Sequence, residues 1–254
     1  LYKQTESQLE QLRSLYDQLS DLEQLKSDMI RIASHDLRNP LSAVQGYMQL
    51  MEMEMHNLPE NMREMFADYI AQMSGSAKHM EKIIIDILSL ERIQEQGHLE
   101  HEVFDITDVI NSVVEANQTP ARLTQKQLTF NHPDEPVLVH GDAVHMREAI
   151  ENLVNNAVKY TRSGGSVRVK LCVEKDLWMT LTVEDDGLGI PAEDQEKLFQ
   201  PFYRARNVKE RIEGTGLGLY LVKNIIERHD GRLTFISEEN VGTTFTMRLP
   251  ITFT

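Results

Sequence analysis

The chain has 254 residues, 41% of them apolar and 26% charged, with a formal net charge of −14. This is the balance of a globular protein of one or two domains, and the acidic excess excludes nucleic acid as the main partner, because no basic surplus exists to displace phosphate counterions. The one cysteine, Cys172, excludes an internal disulfide framework and fits a reducing compartment, and no stretch approaches the ~20 apolar residues that cross a bilayer.

Residues 1–27 are polar and helix-favouring. Leu12, Leu15, Leu19, Leu22, Met29 and Ile32 follow three- and four-residue spacing, which predicts a coiled-coil seam. Continuing the register from Leu19 puts Lys26 in that seam, whereas Leu25 offers a shifted one; such a phase break alters the supercoil locally. The apolar pattern then runs on through Leu37, Leu41, Val44, Met48, Met51 and Met55. The run Asn57-Leu58-Pro59-Glu60-Asn61 breaks it. A second helix reads Phe66, Tyr69, Met73, Ala77, Met80, Ile84, Ile87 and Leu90, ending near Gly97. Two long helices on a short loop form an antiparallel hairpin whose apolar stripe stays half exposed. Pairing two hairpins into a four-helix bundle buries it, so a homodimer through the hairpin is expected. The methionines read as core filler.

Beyond residue 101 the character changes. Strands are predicted at Glu102–Asp105, 127–130 and 137–139, and helices at Val109–Leu123 and Asp142–Tyr160. Val167–Val173 and Trp178–Val183 alternate as a hairpin around Glu174-Lys175-Asp176. A helix follows Gly218, and strands near 232–237 and 243–249 finish the chain. The predicted division is a coiled-coil helix over 1–27, a helical dimerisation domain over 28–98, and an α/β domain with mixed strand pairing over 102–254.

Three stretches of the α/β domain carry chemistry. Asn152, Asn156 and Lys159 stand at i, i+4 and i+7, so they share one helix face. Amide oxygens suit Mg²⁺, and Lys159 supplies a compact positive charge for phosphates; a solvated helix face accounts equally well for any one Asn. Asp185-Asp186-Gly187-Leu188-Gly189 follows a strand. Its glycines allow close backbone approach, and Asp185 can accept a hydrogen bond from an exocyclic amine such as that of adenine; a tight turn explains the same five residues. Gly214-Thr215-Gly216-Leu217-Gly218 leads into a helix, where backbone N–H groups form an anion site. The spacing fits neither a P-loop nor a Rossmann fingerprint. Between the last two stretches, Phe199–Glu213 is charged and aperiodic and reads as a lid, with Arg204 in reach of a phosphate.

His35 lies in Ser34-His35-Asp36-Leu37-Arg38-Asn39-Pro40. It precedes Leu37 by two residues, about 200° around a helix from the apolar stripe, which turns it to solvent. A neutral imidazole there is a nucleophile. Asp36 can hold the Nδ1 proton as orienter or base, and Asn39 stands one turn on, on the same face. Pro40 removes a helical N–H and permits a kink, read as a hinge rather than a tolerated defect. The other histidines show no ligand spacing; His98 and His101 read as solvated linker residues, and a zinc site is not expected.

In this order the motifs resemble those of the sensor histidine kinases of two-component signalling. His35 stands in what resembles the H box, Asn152–Tyr160 the N box, Asp185–Gly189 the G1 box, Phe199–Tyr203 the F box and Gly214–Gly218 the G2 box, the match spanning roughly residues 28–250. The resemblance implies an α/β two-layer sandwich that binds ATP, a mixed sheet with helices on one face. It implies Asn156 as direct Mg²⁺ ligand with Asn152 beside it, and Lys159 and Tyr160 on phosphates or sugar. Asp185 would then read adenine, with Gly187 and Gly189 in its loop. The segment Gly214, Thr215, Gly216, Leu217 and Gly218, with Arg204, would cover the phosphates. It further implies phosphorylation of His35, through Nε2, and transfer to an aspartate of a response regulator receiver domain, with Asn39 supporting dephosphorylation of that partner. A nucleotide-binding dimeric scaffold without turnover is the competing reading. The chain starts at Leu1 rather than Met and shows no signal peptide, and the expectation is the cytoplasmic part of a longer, membrane-anchored sensor, with no membrane contact of its own.

Overall fold

A computed structural model describes residues 30, 34, 37–38, 41–55, 59–94, 101–174, 177–209, 212 and 214–252, apart from the side chains of 61 and 90–94. The expected coiled coil over 1–27, the residues His35, Asp36, Asn39 and Pro40, and His98 lie outside that set. The chain divides into two compact units, Leu1–Gln94 and Glu95–Thr254. Among the described residues, no helix is long and apolar enough to cross a membrane.

In the first unit, helix α1 covers 41–54 and helix α2 covers Glu60–Gln94. The Pro59 carbonyl accepts the N–H groups of Met62 and Arg63, starting α2 where the proline stops the preceding pattern. The hairpin buries Leu41 and Met48 of α1 against Ile70, Ala77 and Ile84 of α2, with Met55 and Leu88 packed alongside. The buried positions thus recur every seven residues. The expected stripe is split: Leu37, Val44, Met51, Tyr69, Met73 and Met80 are exposed within the hairpin. Two antiparallel helices cover only one of the two apolar positions in each heptad, which is why half of the stripe faces outward. Ile70, absent from the expected stripe, is the α2 residue with its large side chain most fully buried. Asp86 is also fully buried, with Lys82 Nζ 2.7 Å from its carboxylate.

The second unit holds β1 (Glu102–Asp105), α3 (Ile106–Leu123), β2 (Gln127–Asn131), β3 (Leu138–Gly141) and α4 (Ala143–Tyr160), then β4 (Ser166–Glu174) and β5 (Trp178–Asp185). Two short helices, α5 (Ala192–Gln195) and α6 (Arg206–Lys209), precede α7 (Gly218–Arg228), β6 (Arg232–Glu238) and β7 (Gly242–Pro250). Five strands form one sheet in the order β2-β4-β5-β7-β6, parallel at β2–β4 and antiparallel elsewhere; β1 and β3 form a separate antiparallel pair. Alternate residues of the strands point to the helical layer: Val167, Val169, Leu171, Met179, Leu181, Val183, Phe245, Met247 and Leu249 are buried there. Strands β4 and β5 pack on α4, which buries Met146, Ile150, Leu153 and Val154, and α7, which buries Leu221, Val222, Ile225 and Ile226, packs on α4 and β6.

Boundaries moved where a capping side chain decides them. Helix α3 starts at Ile106 rather than Val109, because Asp105 accepts the Thr107 N–H at 2.9 Å and also the Val137 N–H at 3.1 Å, joining the β1 end to the approach of β3. Pairing with β1 runs through Gly141, so β3 extends past the predicted 137–139. Asp142 caps α4 through the Val144 and His145 N–H groups. Its own N–H donates to His229 Nε2 at 2.9 Å, while His229 Nδ1 donates to the Ile225 carbonyl at 2.7 Å. His229 is therefore a neutral brace between the start of α4 and the end of α7, and burial holds its pKa below the usual value. His101 is exposed, as expected, yet its ring stacks on that of His229 and lies tilted against that of His140. No group of three or more potential metal-ligating side chains occurs among the described residues.

Candidate functional site

Helix α4 ends, helix α7 begins and strand β5 ends in the same region, and the three expected motifs sit on these termini. The Asn152 amide nitrogen donates to the Glu148 carbonyl at 2.9 Å. That bond points Oδ1 at α7: a Cβ on Gly218 would stand 2.7 Å from it. Asn156, one turn on, is half-buried, and no hydrogen bond among the described residues engages its amide. Lys159 Nζ lies 5.3 Å from the Tyr160 ring centroid. Around Gly214 the groups converge: a Cβ there would be 3.1 Å from Lys159 Nζ, 3.8 Å from Arg204 Nε and 4.0 Å from the Tyr160 hydroxyl.

Arg204 does not extend freely. Its guanidinium donates to the Val208 carbonyl at 3.3 Å and to the Ile212 carbonyl, curling the chain back on itself. Its Nε is buried without a hydrogen-bond partner among the described residues. An orphaned cationic N–H beside a lysine and a phenol is the donor set an anion would satisfy. Burial pushes the Tyr160 phenol up, tempered by the Arg204 charge, so the hydroxyl stays a donor.

The Asp185 carboxylate is buried at the end of β5 and accepts the Gly187 N–H at 2.9 Å. Burial drives its pKa up from 3.8 to about 6, against the N–H groups of Gly187 and Thr243, which favour the ion. Asp186 points away: both its oxygens accept from Ser166, at 2.8–3.0 Å, and close the β4–β5 end. Two adjacent aspartates thus do different work, one buried and available, the other tied into the sheet.

Three of the glycines lie against the protein's own backbone. Gly189 has φ +60° and Gly216 φ +74°, both in the left-handed region. A side chain on Gly189 would strike the Glu238 carbonyl, and one on Gly216 would stand 2.7 Å from the Phe202 carbonyl carbon and 2.8 Å from the Tyr203 oxygen. Gly187 is likewise packed on the Tyr160 carbonyl. The close approach is made to the protein's own backbone, which shapes both loops before any ligand arrives. Leu217 is 1% exposed, so its side chain is core and its N–H goes to Thr215 Oγ1 at 3.2 Å; the hydroxyl of Thr215 shapes the loop locally.

Several supporting residues were not legible in the sequence. Ser237 Oγ accepts the Ile190 N–H at 2.9 Å, Gln195 Nε2 donates to the Ile190 and Ser237 carbonyls at 3.0 Å, and the Asn240 N–H donates to the Leu188 carbonyl at 2.7 Å. They fix the Asp185 loop on the β6–β7 turn from 42 to 52 positions away, a separation that leaves no local pattern.

Each of the two units matches a known family. The histidine kinase-, DNA gyrase B-, and HSP90-like ATPase family matches residues 141–252, and the His Kinase A (phospho-acceptor) domain family matches 25–96. Sensor histidine kinase RcsC of Salmonella typhimurium is 34% identical over 247 residues, 95% of this chain and 25% of RcsC; the chain spans about a quarter of the length of such relatives. The mycobacterial sensor histidine kinase MprB structure is 29% identical with a TM-score of 0.52, covering 59% of this chain and 97% of that one. Full-length ShkA, solved in complex with AMPPNP, shares the fold at 21% identity and a TM-score of 0.72, covering 89% of this chain and 46% of its own. A phospho-acceptor match on the helical unit, an ATPase match on the α/β unit and relatives that span both establish that the chain belongs to the sensor histidine kinases of two-component systems.

Proposed function

We propose that the chain is the ATP-dependent phosphorylating core of a two-component sensor, which autophosphorylates His35 and passes the phosphoryl group to an aspartate of a receiver domain. The observation that carries this is the convergence of Lys159 Nζ, Arg204 Nε and the Tyr160 hydroxyl around Gly214, at the end of the face that presents Asn152 and Asn156. Three donors, two of them cationic, suit a polyphosphate. Asp185, on a separate strand end, suits the adenine amine.

Phosphoryl transfer asks mainly for position and charge neutralisation. Lys159 and Arg204 would neutralise the phosphates. Asn156, with its hard and uncommitted amide oxygen, would hold Mg²⁺ beside Asn152, and the ion would offset phosphate charge. The His35 imidazole attacks the γ-phosphorus through Nε2, the bond to the bridging oxygen breaks, and ADP leaves. Asp36 takes or shares the Nδ1 proton as the ring acquires positive charge. The phosphoimidazole then donates to the receiver aspartate, and Asn39 supports hydrolysis of that aspartyl phosphate.

The exposed heptad positions Val44, Met51, Tyr69, Met73 and Met80 support a homodimeric four-helix bundle. The cytoplasmic side of a longer, membrane-anchored sensor is the setting that fits these parts. ATP radiolabelled at the γ position tests the reading. Wild type should acquire label that is stable to base and lost in acid, and His35→Gln should acquire none. Absence of label in both, with ATP still bound, would favour a non-catalytic scaffold; hydrolysis unaffected by His35→Gln would mark a gyrase-like ATPase.

A further inference from the structure

Helix α5 is one turn long, yet its last two residues hold opposite ends of the site. Gln195 grips the Asp185 loop through Ile190 and Ser237. Asp194 turns to the lid. It is 1% exposed, and its carboxylate accepts the Tyr203 hydroxyl at 2.7 Å, the Arg206 N–H at 2.8 Å and Arg206 Nε at 3.3 Å. Burial alone would raise Asp194; the Arg206 N–H, the Tyr203 hydroxyl and the Arg206 guanidinium together hold it below the usual carboxylate range. A buried carboxylate with three donors from a four-residue stretch is a fixed post.

What it fixes is the floor of the phosphate loop. The Phe202–Tyr203 peptide that Gly216 rests on adjoins the Tyr203 side chain held by Asp194. Phe202 holds φ +62°, a conformation that a non-glycine residue keeps only under outside constraint. Arg204, the cation beside Gly214, lies between the two anchored residues. We infer that Asp194 is a positioning residue for the phosphate end of the nucleotide site: it holds Tyr203 and Arg206, sets the backbone beneath Gly216, and aims Arg204. Its neighbour Gln195 positions the adenine end. This rests on the reading that Gly214–Gly218 cradles phosphates and Asp185 reads adenine.

Competition binding of ATP and of adenosine to the full chain separates the two ends. Asp194→Asn keeps the shape and removes the charge, and should weaken ATP by about tenfold or more while leaving adenosine within about twofold. Gln195→Ala should weaken both ligands by the same factor. Tyr203→Phe removes one donor and nothing else; it carries the test if Asp194→Asn fails to fold, with an expected loss of about threefold for ATP alone. Equal weakening of ATP and adenosine by Asp194→Asn, or by Tyr203→Phe where that variant carries the test, would overturn the inference and make Asp194 a general support of the domain. A wild-type chain that binds adenosine and ATP equally would instead sink the phosphate reading on which it depends.

Discussion

The two units of this protein are apolar in different ways. The α/β unit closes on itself: Ile106, Ile110, Met146, Ile150, Leu153, Met179, Leu181, Leu221 and Ile225 have almost no exposed surface. Among the described residues, the hairpin buries five apolar side chains and leaves Leu37, Val44, Tyr47, Leu50, Met51, Met53, Tyr69, Met73, Met80 and Ile85 open to at least 41%. A two-layer sandwich can cover every apolar face with its own chain, whereas two helices have only one shared face to hide. In the proposed homodimer the hairpin is half of a structure, and its stability would be tied to protein concentration in a way that the α/β unit's is not.

The largest expected effect breaks that dependence. Met51→Asp together with Met80→Asp places two uncompensated charges per chain on the open stripe. Each costs several kcal/mol when desolvated in an apolar seam, so the dissociation constant should rise by at least about a thousandfold. Sedimentation velocity would show the monomer, with the α/β melting transition unchanged. Dimers that persist would place the association on another face. Leu153→Ala is the counterpart in the closed core. It should lower the stability of the α/β unit by ~2–5 kcal/mol, at all protein concentrations, with self-association intact.

The same contrast explains what was legible in the sequence. Periodicity identified both helices of the hairpin and every strand of the sandwich, because burial on one face writes a period of 3.6 or 2. It could not tell the heptad positions that face the neighbouring helix from those left open, so Leu37 and Leu41 looked equivalent although one is 59% and the other 6% exposed. Asn152, Asn156, Lys159 and Asp185 were visible because polar residues interrupt apolar patterns on a helix face and at a strand end. Asp194, Gln195 and Ser237 were not, because their partners lie on other elements and a one-turn helix has no period to interrupt. The glycines of both loops were found by composition, but what they approach, the chain's own carbonyl groups, belongs to the tertiary fold alone.

Asp185 gives the smallest and most discriminating effect, because it sets the closed core against the site it serves. Its folded pKa, about 6, stands above the ordinary 3.8 through burial. The fold therefore holds a proton more tightly than the unfolded chain. The associated stability is fully present below 3.8 and is lost as pH rises through about 6. At pH 7 the ionised carboxylate costs the ligand-free domain about 3 kcal/mol, and Asp185→Asn should raise its melting temperature there while giving no gain below pH 3.8. Binding runs the other way. In the proposed site the adenine amine would donate to the ion, so wild-type ATP affinity should fall as pH is lowered from about 7 to 5, with a midpoint near the folded pKa. Asp185→Asn should bind ATP at least ~10-fold more weakly at pH 7 and lose that pH dependence. His229, whose pKa burial lowers, remains in both proteins, so the difference between the two curves isolates Asp185. A variant that gained stability and kept full affinity would show that adenine is read elsewhere. A variant that lost both would make Asp185 part of the scaffold, on the same footing as Asp142 at the start of α4.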